Sequence, residues 1–196
     1  TPEPLDPIKL SQVYDHTYIN ELCSGQLDPK AMRRIGFPWS EQLIQRTLTA
    51  AGGTVLTAQL ALEHGKALNL TGGYHHAFAD FGSGFCMVND LYLAALTMLT
   101  KPGIDSVLIF DCDVHQGDGT AKLAQGNANI FTVSIHGEKN FPHRKQVSDM
   151  DIGLAKGSGD TEYLETVDSA LYLAFIQARP DAVIYDAGVD IHIDDD

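Results

Sequence analysis

The sequence predicts an α/β fold, a three-layer α/β/α arrangement around a mainly parallel sheet. Short apolar runs of strand length alternate along the chain with longer stretches of helical periodicity. Several of the short runs are apolar at consecutive rather than alternate positions, as strands covered on both faces are. Each run is also followed by Gly, Asp, His or Ser, and the carboxyl ends of parallel strands are where open α/β sheets bind ligands.

The elements follow in order. Residues 1–39 are rich in proline and carry no clear strand, so they are expected to wrap the surface. Ser40 suits the N-cap of a helix from Glu41, with Leu43, Ile44, Thr47, Leu48 and Ala51 on one face before Gly52-Gly53 loosens the pattern. Residues 67–70 read as a first strand, and residues 89–99 as an Ala/Leu/Met-rich helix stopped by Lys101-Pro102-Gly103. Residues 107–110 and 130–135 are the next strands. Residues 136–160 combine Gly137, Pro142, Gly153, Gly157 and Gly159 with mixed charge and read as a long loop, a length that often marks function. Asp160 is expected to cap a helix over 163–178, with Leu164, Val167, Leu171 and Phe175 on its inner face and Arg179-Pro180 ending it. Residues 182–185 form the last strand, and residues 1–196 read as a single domain.

Composition bounds the function. The chain has 196 residues, 44% hydrophobic and 20% charged, a balance that supports a sizeable core and excludes intrinsic disorder. No apolar run approaches the roughly 20 residues of a membrane helix, and the first residues lack the pattern of a secretory signal. With 26 acidic against 13 basic side chains the net charge is -13, which disfavours direct nucleic-acid binding and suits cationic substrates. Cys23, Cys86 and Cys112 are odd in number and form no CxxC, which fits a reducing, cytoplasmic setting.

Histidines and aspartates gather after the strands although they lie far apart in sequence. Gly72-Gly73-Tyr74-His75-His76 follows the first run, Asp111-Cys112-Asp113-Val114-His115 the second, His136 the third and Asp186-Ala187-Gly188-Val189-Asp190 the last. Asp113 and His115 are two apart, so on an extended segment both side chains point the same way. They make half of a divalent-metal site, and Asp190 supplies a third ligand. Two carboxylates and one imidazole leave positions open for water and substrate, as catalytic zinc requires. Asp111 and Asp118 are placed to orient imidazoles, and His75-His76 to transfer protons beside the metal. His136, His143 and His192 read as structural.

These motifs, together with Gly84-Phe85-Cys86-Met87-Val88-Asn89-Asp90 and His115-Gln116-Gly117-Asp118-Gly119, resemble the signatures of the zinc-dependent histone deacetylases and their bacterial relatives. Tyr18-Ile19-Asn20-Glu21-Leu22, the His115-Gln116-Gly117 wording and the Phe141-Pro142 stretch lean towards the class IV-like branch. The resemblance covers nearly the whole chain. It implies an arginase/deacetylase-like fold and one Zn²⁺ held by Asp113, His115 and Asp190. It also implies that His76, paired with Asp118, acts as general base and then general acid, with His75, paired with Asp111, acting electrostatically. Phe85, with Gly84 beside it, and Phe141 would line the tunnel for an acyl-lysine or acylpolyamine side chain. A structural K⁺ is implied near Asp111, Asp113, His115 and Ser134.

The family's oxyanion-stabilising tyrosine lies in a Gly-rich segment downstream of the third metal ligand, and no residue here matches it. The sequence is therefore expected to be an internal fragment of a larger catalytic domain, truncated at both ends and weak or inactive alone. Two rival readings stand beside the deacetylase. A ureohydrolase with two Mn²⁺ ions requires more carboxylates around the metal-binding histidine than Asp111-Cys112-Asp113-Val114-His115 offers. A non-catalytic metal-binding module that recognises acylated partners requires decay of the site, whereas every zinc ligand and both histidines are present.

Overall fold

The computed structural model describes residues 2–195. The chain divides into two compact units, Thr1–Ala94 and Ala95–Asp196.

The first unit is helical: α1 (Pro7–Leu10), α2 (His16–Ser24), α3 (Pro29–Ile35) and α4 (Glu41–His64). The expectation that residues 1–39 only wrap the surface is corrected here, because three helices lie in that stretch and bury Leu10, Tyr14, Tyr18, Ile19, Leu22 and Ile35. The prolines mislead for a physical reason. Pro7 and Pro29 stand in the first helical turn, where the missing N–H has no partner to lose. Asp6, Asp15 and Asp28 cap the three helices by accepting from the N–H groups of Ile8, Tyr18 and Lys30.

Ser40 caps α4 as expected, its Oγ accepting from Leu43 N at 3.1 Å. The helix runs on through Gly52-Gly53 to His64 instead of loosening there. A Cβ at Gly52 would lie 2.0 Å from the backbone oxygen of Glu3, so the glycine admits an N-terminal strap against the helix. Leu5 N, bonded to Leu48 O at 3.1 Å, fastens that strap. Residues 67–70 form no strand, which corrects a second expectation. Leu68 and Leu70 are exposed, so this apolar run has no neighbouring strand to bury it. Helix α5 (Asp90–Leu99) spans the division between the units, and Asn89 Oδ1 accepts from Tyr92 N at 3.0 Å in its first turn.

The second unit carries β1 (Val107–Asp111), α6 (Asp118–Ala124), β2 (Ile130–Gly137), β3 (Met150–Leu154), α7 (Asp160–Ala178) and β4 (Ala182–Asp186). The four strands form one parallel sheet in the order β3-β2-β1-β4, so the α/β expectation holds. All of β1 is buried, as its unbroken apolar run requires. The expected 136–160 loop contains β3, whose residues pair with the end of β2 from Val133 to Gly137. Alternation over so short and polar a stretch hides it.

Helix α7 ends at Ala178 as expected but starts about a turn early, with Gly159 in the N-cap position and Asp160 in the first helical turn. Its inner face is also one step away from the expected one. Ala170 and Ala174 are buried against Leu108, Phe110, Cys112, Val133 and Ile135, with Tyr163 and Val167 packed beside them. Leu164, Leu171 and Phe175 are exposed. Alanine stripes let a helix lie close to a sheet, and propensity alone does not distinguish such a stripe from filler. No described helix is long and apolar enough to cross a membrane.

Candidate active site

In the second unit, the carboxyl ends of β1 and β4 lie side by side, with Asp111 in register with Asp186. The chain leaving β1 is then fixed one peptide at a time. Cys112 N donates to Asp186 O at 3.1 Å, and Asp113 N to Asp111 Oδ1 at 3.0 Å. Val114 N donates to Asp190 Oδ1 at 3.0 Å, while Val114 O accepts from Gly137 N at 2.8 Å. His115 N donates to Asp113 Oδ1 at 2.8 Å. Backbone groups that would otherwise need water thus hold the segment in place.

Asp113, His115 and Asp190 converge as the sequence predicted. His115 Nδ1 lies 3.0 Å from Asp113 Oδ1 and 3.1 Å from Asp190 Oδ2. One ligand atom from each residue lies within 4.8 Å of the others. The side chains are 33%, 21% and 24% exposed for His115, Asp113 and Asp190, so a small molecule can reach them. Burial pushes the Asp190 carboxyl above the usual carboxylate range; the Val114 N–H opposes this and the adjacent Asp113 carboxylate adds to it. Two carboxylates crowded around one imidazole nitrogen fit a divalent cation, which would relieve that repulsion. Three protein ligands leave coordination positions open. The sequence did not say which nitrogen faces the carboxylates; it is Nδ1.

The remaining residues of this unit surround the cluster. Asp111 is buried at the end of β1, and its β2 register partner is Ser134, whose Oγ pairs with His136 Nδ1 at 3.0 Å. The two residues of the expected K⁺ site that lie on strands are therefore neighbours. Asp118 is buried in the first turn of α6, its Oδ1 accepting from Gly119 N at 3.0 Å. The Phe141 ring stands edge-on to His115 with centroids 6.1 Å apart. Cys112 is buried and its thiol is pushed up by burial, in keeping with an inert role.

In the first unit, His75 and His76 are buried with Nε2 atoms 3.1 Å apart and ring centroids 4.1 Å apart. The two nitrogens lie within hydrogen-bond distance, and the tautomer of each ring decides which of them donates. The segment leading to it is fixed by Asp90, a fully buried carboxylate that accepts from Gly73 N at 3.1 Å, Tyr74 N at 2.7 Å and Thr54 Oγ1 at 2.5 Å. Gly72, at φ 109°, lies so close to Asp90 Oδ2 that a Cβ there would approach within 2.3 Å. Buried Tyr14 and Tyr18 hold the following stretch through Asn89 and Met87.

Phe85 is 60% exposed and adopts φ 65°, a left-handed conformation unusual for an aromatic residue. Its N–H donates to Ile35 O at 2.7 Å, that of Gly84 donates to Arg34 O at 3.3 Å, and Phe37 packs on its ring at 5.1 Å. An exposed aromatic held in a costly conformation is a sign of a functional constraint. Sequence reading missed three supporting residues: Asp90, Gln116 and Gly188. Each lies inside a motif already singled out, where its more reactive neighbours drew the attention.

The comparisons with known proteins bear on the family and the fold. The histone deacetylase domain matches residues 1–196. An uncharacterized protein of Picosynechococcus is 52% identical over 99% of this chain and 65% of its own length. Histone deacetylase 2 of Arabidopsis thaliana is 30% identical over 96% of this chain and 52% of its own. The chain thus spans about half to two-thirds of the length of these relatives. The crystal structure of an HDAC homolog complexed with SAHA superposes with a TM-score of 0.85 at 27% identity, covering 99% of this chain and 58% of that one. An HDAC homolog from Aquifex aeolicus gives 0.83 at 25% identity, with the same coverage. The fold is the α/β fold of the arginases and deacetylases. By the match over its whole length, the chain belongs to the histone deacetylase family.

Proposed function

We propose that this protein is a zinc-dependent amidohydrolase that removes an acyl group, acetyl in the first instance, from an N-acylated amine such as acetyl-lysine or an acetylated polyamine. The observation that carries the reading is the convergence of Asp113, His115 and Asp190 on one point, with His115 Nδ1 between two carboxylates. A Zn²⁺ ion held there supplies Lewis acidity that polarises an acyl carbonyl and acidifies water. A structural K⁺ would be held near Asp111, Asp113, His115 and Ser134, of which Asp111 and Ser134 are register partners.

The chain's own residues do the rest. His76 takes a proton from the attacking water at Nε2 and later returns it to the amine nitrogen as the C–N bond breaks, leaving a carboxylate and a free amine. Asp118 is assigned to hold the His76 imidazole in the tautomer this requires, and Asp111 does the same for His75. His75 shares the proton between the two Nε2 atoms, which are 3.1 Å apart, so the pair does not carry two charges face to face. Phe85, Gly84 and Phe141 are assigned to the walls that receive the acyl-bearing side chain and exclude water from it. On this reading residues 1–196 are part of one catalytic domain.

The test is zinc content and acetyl-lysine peptide hydrolysis in one preparation, with Asp190→Ala as control. One zinc per chain, lost in the variant, together with amide hydrolysis supports the reading. Two manganese ions per chain point to a ureohydrolase instead. Zinc binding with no hydrolysis of any N-acyl amine by the full-length protein makes it a binding module.

A further inference from the structure

The side chain of Gln116, next to the ligand His115, is 1% exposed and uses its whole amide. Nε2 donates to Gln146 O at 2.9 Å and to Asp151 Oδ1 at 2.7 Å, while Oε1 accepts from Gln146 N at 2.9 Å. Both peptide groups of Gln146 are thus held by one side chain, in the manner of a strand partner. Asp151 on β3 uses its other oxygen to accept from Ser148 N at 2.8 Å. From the other side, Lys145 Nζ donates to Asn140 O at 2.6 Å and Pro142 O at 2.8 Å, the carbonyls that flank Phe141. Phe141 then returns to the metal-ligand segment by its edge contact with His115.

These contacts form a closed circuit: His115, Gln116, Gln146, Lys145, Phe141 and back to His115. Residues 138–149 lie between β2 and β3 without regular structure; Glu138 N to Leu154 O and the Asp149–Thr132 bonds tie the two ends, and the Gln116 and Lys145 contacts hold the stretch between them. Buried and fully satisfied polar groups of this kind select one arrangement of a segment, because every alternative leaves a donor or acceptor unpaired.

We propose that Gln116 is a positioning residue that clamps this segment to the metal-ligand segment, fixes Phe141 beside His115 and so sets which acyl chain the site accepts. The proposal rests on the deacylase reading above for its substrate, and on the geometry of this unit for its clamp. Asp151 and Lys145 are the accessory anchors. In Gln116→Leu all three bonds are lost. In Gln116→Glu the acceptor remains, but a second carboxylate faces Asp151. Gln116→Glu with Asp151→Asn restores a donor opposite the new carboxylate, while the asparagine oxygen still accepts from Ser148 N.

The experiment has two readouts on the full-length, zinc-loaded protein. The first is amide hydrogen exchange over residues 146–148. Exchange roughly tenfold faster in Gln116→Leu and Gln116→Glu, slowed again in the double variant, is expected from the loss and partial return of a buried hydrogen bond. The second is kcat and KM for lysine peptides carrying acetyl or longer straight-chain acyl groups. The selectivity between short and long acyl groups is expected to move about tenfold through KM, with zinc content unchanged. Unchanged exchange overturns the clamp. An equal fall in kcat for every acyl length, or loss of zinc, overturns the specificity role. If the wild type hydrolyses no acyl amine the deacylase reading fails, and the exchange result alone then upholds or overturns the clamp.

Discussion

Gly188 lies against the backbone of the proposed metal ligand Asp113: a Cβ at position 188 would sit 2.4 Å from Asp113 Cα and 2.7 Å from both its Cβ and its Oδ2. The neighbouring atoms are backbone and a short carboxylate, neither of which can swing aside as a long side chain does. The residue two positions before Asp190 therefore also determines where Asp113 stands. Gly188→Ala is expected to displace the Asp113 carboxylate and weaken zinc binding by about ten- to a hundredfold, as other supporting-shell changes do. Competition against a chelator measures this. Wild-type affinity in the variant would show that the two segments separate at no cost.

Metal binding and proton transfer should separate by mutation. His76 lies outside the proposed ligand set, so His76→Ala in the full-length protein is expected to keep its zinc while turnover falls by about 10²–10⁴-fold. Asp113→Ala is expected to lose the zinc itself, because it removes one of three ligands and leaves His115 Nδ1 with a single carboxylate. Zinc content and kcat on the same samples distinguish the two. Equal metal loss in His76→Ala would mean that the ligand set is wrongly assigned.

Asp113, His115 and Asp190 were legible because each follows an apolar run of strand length, although residues 113–115 bend rather than extend and β4 is half exposed rather than buried. What bound them was not legible. Val114 N reaches Asp190 Oδ1 from a segment 76 positions away, and no local pattern encodes such a contact. The fold followed the same division. β1, β2, β4 and α5 carry continuous apolar signals, whereas Met150–Leu154 interrupts its apolar residues with Asp151 and Gly153, although β3 and β4 are half exposed to the same degree. Residues 67–70 were apolar without being a strand, since pairing depends on a neighbour that the run itself does not specify. In α7 the buried stripe uses Ala170 and Ala174, so ranking positions by hydrophobicity selected Leu171 and Phe175 instead.

Gly52 gives a test of sign. Replacing an interior helical glycine with alanine ordinarily stabilises by about 1 kcal/mol. Here the new methyl would meet Glu3 O at 2.0 Å, a backbone atom held near α4 by the Leu5 N to Leu48 O bond. Overpacking of this kind costs about 1–3 kcal/mol, so the steric loss outweighs the propensity gain. Gly52→Ala is expected to lower stability and to raise exchange at the Leu5 amide. A more stable variant would show that the N-terminal strap contributes nothing to the helix it crosses.

His136 supplies a pH dependence whose direction can be worked out from its surroundings. The ring is buried on β2, with Nδ1 paired to Ser134 Oγ at 3.0 Å. Burial lowers its pKa below the ordinary 6.5; Asp151 on β3 and Asp111 on β1 pull it up, Lys145 pushes it down, and burial outweighs them. The folded protein therefore keeps this histidine neutral at a pH where the unfolded chain already protonates it. Above 6.5 both states are neutral and His136 adds no pH dependence. As pH falls below that value the unfolded state takes up the proton first, and stability is lost until the folded pKa is reached. Denaturant unfolding between neutral pH and about pH 5 should show a steeper loss in the wild type than in His136→Asn, in which the amide can still pair with Ser134 and no proton is gained. Parallel curves would mean that His136 titrates alike in both states, and that its burial in β2 does not disfavour the charged ring.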